Sequence, residues 1–294
     1  MHVTDTGDAV SSPGGIYLRG MVTGDIPAAM RLKCEAGWNQ TAADWERFIR
    51  LSPDGCFVAV RNDDVVGTVT TIRYGGLSWI GMMLVDSAYR RRGIAKRLMG
   101  RAIRHLSNVA SVGLDATPEG ALVYGKFGFR DNGGLVRLIR DEVSSSTVIG
   151  ESVENVTLDA LRGIITMDTL VFGGDRRELL KSLAEYAPSA AVVLTSGAIT
   201  EGYAFGRSGT SRFHIGPVVA ENVTGAATLV DTVLSSINGR AALIDVPEWR
   251  KPFIRYLAAR RFRIQRSFTR MYRGGSEPTG IPEKVFAVAG PEFG

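Results

Sequence analysis

The sequence predicts an α/β chain built as two copies of one fold, the second diverged from the first. Three observations carry this. The 294 residues are long for one ordinary domain and comfortable for two, each able to bury its own core. Short runs rich in β-branched and aromatic residues alternate with stretches of helical period along the whole chain. The order of elements in residues 16–141 then recurs after residue 156, with Phe129 facing Phe262 at an offset of 133 residues.

The elements follow in order. Residues 1–15 are polar, with no basic start and no apolar run, and read as a flexible N-terminal arm rather than a signal peptide. A strand is expected over Ile16–Met21 and a helix from about Asp25, where Pro27 is acceptable in the first turn. Thr41 suits the cap of a second helix, Ala42–Leu51. Phe57–Val60 and Val65–Ile72 read as strands around the turn Asn62–Asp64, and Leu77–Val85 as another. Gly93–Leu106 is a helix with Ile94, Leu98, Ala102 and Leu106 on one stripe. Val109–Ala116 is a strand, Gly120–Phe127 a short helix, and Leu135–Ile139 the strand that closes the set.

A polar stretch, Asp141–Asn155, lacks apolar periodicity and is expected to be the linker, over about residues 142–156. In the second copy, residues 157–294, a helix is expected at Asp175–Tyr186 and a strand pair at Ala190–Leu194 and Ile199–Gly206. There follow a strand at Phe213–Val219, a helix at Val223–Leu234, a strand at Ala241–Asp245, a helix at Trp249–Ala259 and a strand at Ile264–Met271.

Composition bounds the function. No run of about 18 apolar residues is present, so no membrane partner is expected. Two scattered cysteines, Cys34 and Cys56, fit a reducing cytoplasm, and His2, His105 and His214 form no motif, so no metal is expected. The net charge of +5 gathers in two arginine clusters, Arg90–Arg104 and Arg250–Arg273. Such charge suits a polyanionic cofactor or a nucleic acid. For the second cluster a solvated helix face and strand side is the reading adopted, so no nucleic-acid partner is expected.

The chemistry concentrates in Leu84-Val85-Asp86-Ser87-Ala88-Tyr89-Arg90-Arg91-Arg92-Gly93-Ile94-Ala95-Lys96. A strand runs into a tight turn that opens a helix. Amides at a helix start have no partner inside the helix, and the dipole adds positive character there, which suits a pyrophosphate. Gly93 lets backbone approach closely, Ala95 leaves room, and the arginines can meet further phosphate. The alternative is a solvated basic surface. A dinucleotide-binding turn is disfavoured, because the full G-x-G-x-x-G pattern is absent.

These residues resemble a known family. Arg90-Arg91-Arg92-Gly93-Ile94-Ala95 matches the R/Q-x-x-G-x-G/A signature of the GCN5-related N-acetyltransferases (GNAT), and Tyr124-Gly125-Lys126-Phe127-Gly128-Phe129 matches the family's Y-x-x-x-G-F segment, in the expected order. The resemblance covers residues 16–141. The second half is similar to the degenerate second domain of tandem members, through Asp175-Arg176, Gly216-Pro217 and Ala287–Gly294. The resemblance implies two tandem GNAT-like domains, each a mixed central sheet flanked by helices.

It also implies roles. The amides of Arg91–Lys96, with Arg90 on the rim, would hold the pyrophosphate of acetyl-CoA. The strand around Met83, Leu84 and Val85 would splay from its neighbour and receive the pantetheine arm, with an amide, that of Val85, polarising the thioester carbonyl. Tyr124 would be the general acid for the leaving thiolate; its alternative is a plain buried aromatic. Many relatives carry a glutamate on the strand before the turn. Here Leu77–Leu84 has no carboxylate, which leaves the base open between Asp115 and a backbone carbonyl with a water chain, while Asp86 reads as a turn residue. The first two helices wall the acceptor side, placing Trp38, Asn39 and Trp45 near a small-molecule amine; the alternative is that Trp45 packs in the core and Trp38 caps a helix end.

The second copy departs from the pattern. Its turn, Val219–Gly225, has Glu221 where phosphate would sit and no arginine, and Leu257 stands at the tyrosine position. The expected function is acetyl transfer from acetyl-CoA to a primary amine in a ternary complex. A non-catalytic acyl-CoA sensor is the alternative.

Overall fold

The computed structural model describes residues 15–142, 153–274 and 280–294. The expected arm, apart from Gly15, and the expected linker between 143 and 152 lie outside the described residues. Two compact units are present, one of residues up to 72 with 80–108, the other of 73–79 with 109–294.

The first unit holds β1 (Tyr17–Gly20), α1 (Ile26–Glu35), α2 (Ala42–Leu51), β2 (Cys56–Arg61), most of β3 (Asp64–Tyr74) and of β4 (Leu77–Val85), and α3 (Ile94–His105). β1 pairs antiparallel with β2, and β2 with β3. Asn62 and Asp63 both take positive φ, 48° and 67°, as a two-residue hairpin turn between right-twisted strands requires. Asp44 accepts a hydrogen bond from the Thr41 amide at 2.8 Å and starts α2. The stripe Ile94, Leu98, Ala102, Leu106 is buried, and Met99 joins it. Gly67 on β3 lets α3 lie close. A Cβ there would stand 3.0 Å from the Leu84 carbonyl and 3.1 Å and 3.2 Å from the Leu98 and Ile94 side chains. This close packing fixes where the start of α3 sits against the end of β4.

The second unit contains β5 (Ser111–Ala116), α4 (Pro118–Gly125), β6 (Arg130–Arg140), β7 (Val153–Asn155), α5 (Leu158–Phe172), α6 (Arg177–Tyr186), β8 (Val192–Ser196), β9 (Ile199–Arg207), β10 (Phe213–Ala220), α7 (Val223–Ser236), β11 (Ala242–Pro247), α8 (Lys251–Ala259), β12 (Arg263–Gly274) and β13 (Val285–Ala287). Its strands run β5-β12-β6-β11-β10-β9-β8-β7, with β13 on β10. The β10–β11 pair is parallel and the other pairs antiparallel, so the sheet is mixed. The first three residues of β4 pair parallel with Ser111–Gly113 of β5.

The two copies exchange their closing strands. β12, the last long strand of the second copy, lies between β5 and β6 of the first, and β6 pairs with β11 of the second. The core of the second copy packs α7 and α8 on this sheet through Leu229, Val230, Val233, Phe253 and Leu257. No helix among the described residues is long and apolar enough to cross a membrane.

One long element escapes the sequence pattern. α5 buries Leu161, Ile164, Asp168 and Val171, while Leu158 and Leu170 are exposed. A carboxylate sits inside the apolar stripe and two leucines outside it, so the expected period is obscured. Asp168 is tolerated there because Arg176 grips it with two bonds of 3.1 and 2.5 Å and Tyr203 donates its hydroxyl. The same device recurs nearby, with Arg137 on Asp245 at 2.8 and 2.7 Å, and Arg207 on Glu292 at 2.6 Å.

Candidate active site

In the first unit, β4 delivers its end to α3. Met82 and Leu84 are buried, whereas Met83 and Val85 on the other side are half-buried. Met82 takes a left-handed φ of +51° inside the strand, a conformation costing on the order of 1–3 kcal/mol. Thr68 donates its hydroxyl to the Met82 carbonyl at 2.7 Å and supports the kink. Strain of this kind within a strand, just before a motif turn, makes the end of β4 a candidate functional position.

The turn that follows is tied at both ends. Asp86 accepts from the Ala88 amide at 2.9 Å and from Arg31 at 2.8 Å, so it is a turn residue as expected. Against a burial penalty, Arg31 holds the Asp86 carboxyl below the usual carboxylate range. Arg91 and Gly93 take φ of +60° and +78°. Gly93 is the N-cap of α3 and provides no side-chain cap, so the amides of Ile94, Ala95 and Lys96 have no partner within the helix. A Cβ at Gly93 would meet nothing within 4 Å. Glycine is therefore called for by its φ rather than by crowding. Arg90, Arg91, Arg92 and Lys96 are exposed around this opening. Arg92 stacks on the Tyr89 ring at 5.3 Å, and Arg90 reaches the Val85 carbonyl at 3.4 Å. The side chains of Leu84 and Ile94 are buried, so only their backbone faces outward chemistry.

The aromatic residues expected at the acceptor divide. Trp45 has no exposed surface, and a ring without surface cannot stack on a ligand. That corrects its assignment as an acceptor contact and leaves it in the core. Asn39 is buried and Trp38 half-buried.

In the second unit, Thr117 caps α4 by accepting from the Gly120 amide at 3.2 Å, and Pro118 opens the helix. Tyr124 on α4 is half-buried beside Phe129, with ring centroids 6.4 Å apart. Gly128 takes a φ of +82° where the chain leaves the helix. Burial pushes the Tyr124 phenol up to about 12, so it keeps its proton at neutral pH.

Near the end of β5, the Asp115 side chain is fully buried and held by Arg270 of β12 through bonds of 2.9 and 2.8 Å. Burial pushes its carboxyl upward against the pull of that guanidinium. Both of its oxygens accept from Arg270. Arg270 is thus an internal residue rather than part of a solvated face, a correction to the reading of the second arginine cluster. Arg260 and Arg263 do follow that reading, pairing at the surface with Asp231 and Asp141.

A cavity of about 380 Å³ opens beside Arg270, walled by Phe172, Trp249, Tyr272, Leu135 and Val285, with Glu283 in its lining. A second, of about 260 Å³, shares Gly133 and Gly134 with it and reaches Pro118, the first residue of α4. The sequence held no signal for this site. Its residues come from β6, α5, β12 and the segment after 280, brought together by the strand exchange.

The second copy's counterpart of the α3 turn is closed. Asn222 caps α7 by accepting from the Gly225 amide at 3.0 Å. Glu221 stands where expected, and its charge is met by Lys284 at 2.6 Å. Leu257 is fully buried, and the neighbouring Tyr256 donates its hydroxyl to the Ala227 carbonyl at 3.1 Å.

A mixed sheet, a kinked strand entering an uncapped glycine-started helix, and a tyrosine before a left-handed glycine are the features expected of an acyltransferase of tandem design. Comparison with known proteins gives the family. GNAT acetyltransferase domain models match residues 52–131 and 164–287. The chain is 30% identical over 262 residues to holothin acyltransferase of a Pseudoalteromonas species, covering 87% of each protein. It therefore belongs to the GCN5-related N-acetyltransferase family, as a tandem member. It is also 23% identical over 225 residues to the uncharacterized N-acetyltransferase YitH of Bacillus subtilis, covering 76% of this chain and 79% of that protein. Among solved structures, a putative acetyltransferase from Pyrococcus horikoshii superposes with a TM-score of 0.83 at 24% identity over the whole of both chains. A tandem GNAT protein from the clavulanic acid biosynthesis pathway superposes with a TM-score of 0.61 at 12% identity, covering 90% of this chain and 100% of that one. These two share the fold.

Proposed function

We propose that the protein moves an acetyl group from acetyl-CoA to a primary amine of a small molecule by direct attack in a ternary complex. One observation carries this reading, the uncapped start of α3, with left-handed Arg91 and Gly93 ahead of it and exposed arginines around it. The amides of Arg91–Lys96 are assigned to the pyrophosphate, with Arg90, Arg91 and Arg92 screening its charge. The backbone of Met83, Leu84 and Val85 is assigned to the pantetheine arm, and the Val85 amide to the thioester carbonyl.

The neutral amine attacks the carbonyl carbon, the carbon–sulfur bond breaks, and Tyr124 gives its proton to the departing thiolate. The proton lost by the amine leaves through water, since β4 carries no carboxylate and Asp115 is engaged by Arg270. The small-molecule acceptor is supported by the relative named for acylating holothin. Cys34 and Cys56 are both free thiols, which suits a reducing cytoplasm. Free thiol released on mixing the protein with acetyl-CoA and a panel of primary amines tests the reading. Amine-dependent release is expected. CoA binding without release would make the protein an acyl-CoA sensor instead, the reading that the missing β4 carboxylate favours.

A further inference from the structure

We infer that the cavity walled by Phe172, Trp249 and Tyr272 is the acceptor site, and that it takes a primary amine carried on a single flat aromatic or heteroaromatic ring system without a carboxylate. This rests on the acetyl-transfer reading above. The walls come first. Trp249 stays outside α8, which begins at Lys251, and is 48% exposed. An indole left open beside a concavity is a contact surface in waiting. It is held in place rather than loose. The Arg250 guanidinium lies 4.2 Å from its ring centre and donates to the Val285 carbonyl at 3.0 Å and the Pro282 carbonyl at 3.3 Å. Arg250 thereby fixes the Pro282–Val285 wall to the Trp249 wall. Phe172, at the end of α5, and Tyr272 add two more rings, and Leu135, Val171 and Val285 supply the apolar remainder.

Charge sets the other half of the specificity. Arg270 gives Nε and one terminal nitrogen to Asp115, so the two cancel. Glu283 is the carboxylate among the residues lining this cavity, Asp131 and Glu248 line the smaller one joined to it, and all three are exposed. Arg250 offsets the charge of Glu283, and the excess of carboxylates draws an ammonium and repels an acid. A sugar amine would need many hydrogen-bonding groups where this wall offers rings. The volume of about 380 Å³ lies near the lower end for ligand pockets and suits one ring system with a short arm. The shared Gly133–Gly134 wall joins the cavity to the smaller one at the start of α4, the helix bearing Tyr124.

The test uses the full chain with acetyl-CoA and four amines: 2-phenylethylamine, n-butylamine, spermidine and glucosamine. Thiol release gives kcat/KM for each, and equilibrium dialysis in the presence of CoA gives direct binding of 2-phenylethylamine. A preference for 2-phenylethylamine of roughly 10–100-fold over n-butylamine is expected from burying one ring. Trp249→Ala should raise KM for 2-phenylethylamine about tenfold with kcat and CoA binding retained, and Trp249→Phe should restore most of the loss. Equal rates for the aryl and alkyl amines, a preference for spermidine or glucosamine, or a Trp249→Ala variant with wild-type KM would overturn the inference while leaving acetyl transfer standing. Failure to turn over any amine would remove the transfer reading alone. Saturable binding of 2-phenylethylamine that Trp249→Ala weakens would then support the site, and absence of such binding would overturn it.

Discussion

The roles proposed for Gly93 and Tyr124 are separable, and substitutions can isolate them. At Gly93 the φ of +78° means that a branched residue would strain the turn as well as fill it. Asparagine tolerates that conformation, and its side chain can occupy the helix amides itself. Gly93→Asn should therefore melt close to wild type, yet lose at least tenfold in CoA affinity by calorimetry. Unchanged affinity would show that the α3 amides are not the phosphate site. Tyr124→Phe keeps the ring against Phe129 and removes the proton. A fall in kcat of about 10²–10⁴ with near-normal CoA affinity is expected in steady-state kinetics. The sign of the pH dependence follows from the same residue. Because burial raises the phenol to about 12, Tyr124 stays protonated as pH rises, and kcat/KM should climb as the acceptor amine deprotonates. A descending limb well below pH 10 would point to another acid. Both residues were singled out by their motifs alone. The kink at Met82 was not, since nothing in Gly81-Met82-Met83 announces a left-handed residue.

At the level of elements, the contrast between α3 and α7 leads us to expect one cofactor per chain. Both are helix starts on matching strands. The start of α3 is open, whereas Asn222 already occupies an amide of α7, and a Lys284–Glu221 pair stands before it. We expect calorimetric titration with CoA to give one site per chain, abolished by Gly93→Asn. A second site surviving that substitution would make α7 a working anion site. Most strands and amphipathic helices could be read from apolar period, and Ala42–Leu51 matches residue for residue. α5 could not, because its buried face includes Asp168, whose partners Arg176 and Tyr203 lie 8 and 35 residues away in sequence. Period detects burial of apolar groups, not of ion pairs. For the same reason Arg270 read as surface charge until Asp115, 155 positions earlier, met it in the structure.

For the whole molecule, the repeat was visible in sequence, but the exchange of closing strands was not, because either pairing satisfies the same local pattern. The exchange makes the copies interdependent. A fragment of residues 1–142 would leave β5 and β6 without β12 between them, and two bare edges flanking Leu114, Leu135 and Leu138 invite aggregation. We expect that fragment to be insoluble or to bind no CoA. Co-expression with residues 143–294 should restore a soluble heterodimer by size-exclusion chromatography. A monomeric, CoA-binding 1–142 fragment would mean that β5 and β6 can pair directly.

The insertion of β12 also bears on how the chain is made. A ribosome delivers β5 long before the strand that covers it. With 155 residues separating Asp115 from Arg270, and synthesis at about 5–20 residues per second, the wait is on the order of ten to thirty seconds. Throughout it, the nascent first copy carries an unfinished sheet. Completion of the first copy's sheet thus waits on the translation of β12. A message truncated before β12, even one encoding every motif residue, would yield a protein that holds the signature but never completes the sheet between β5 and β6.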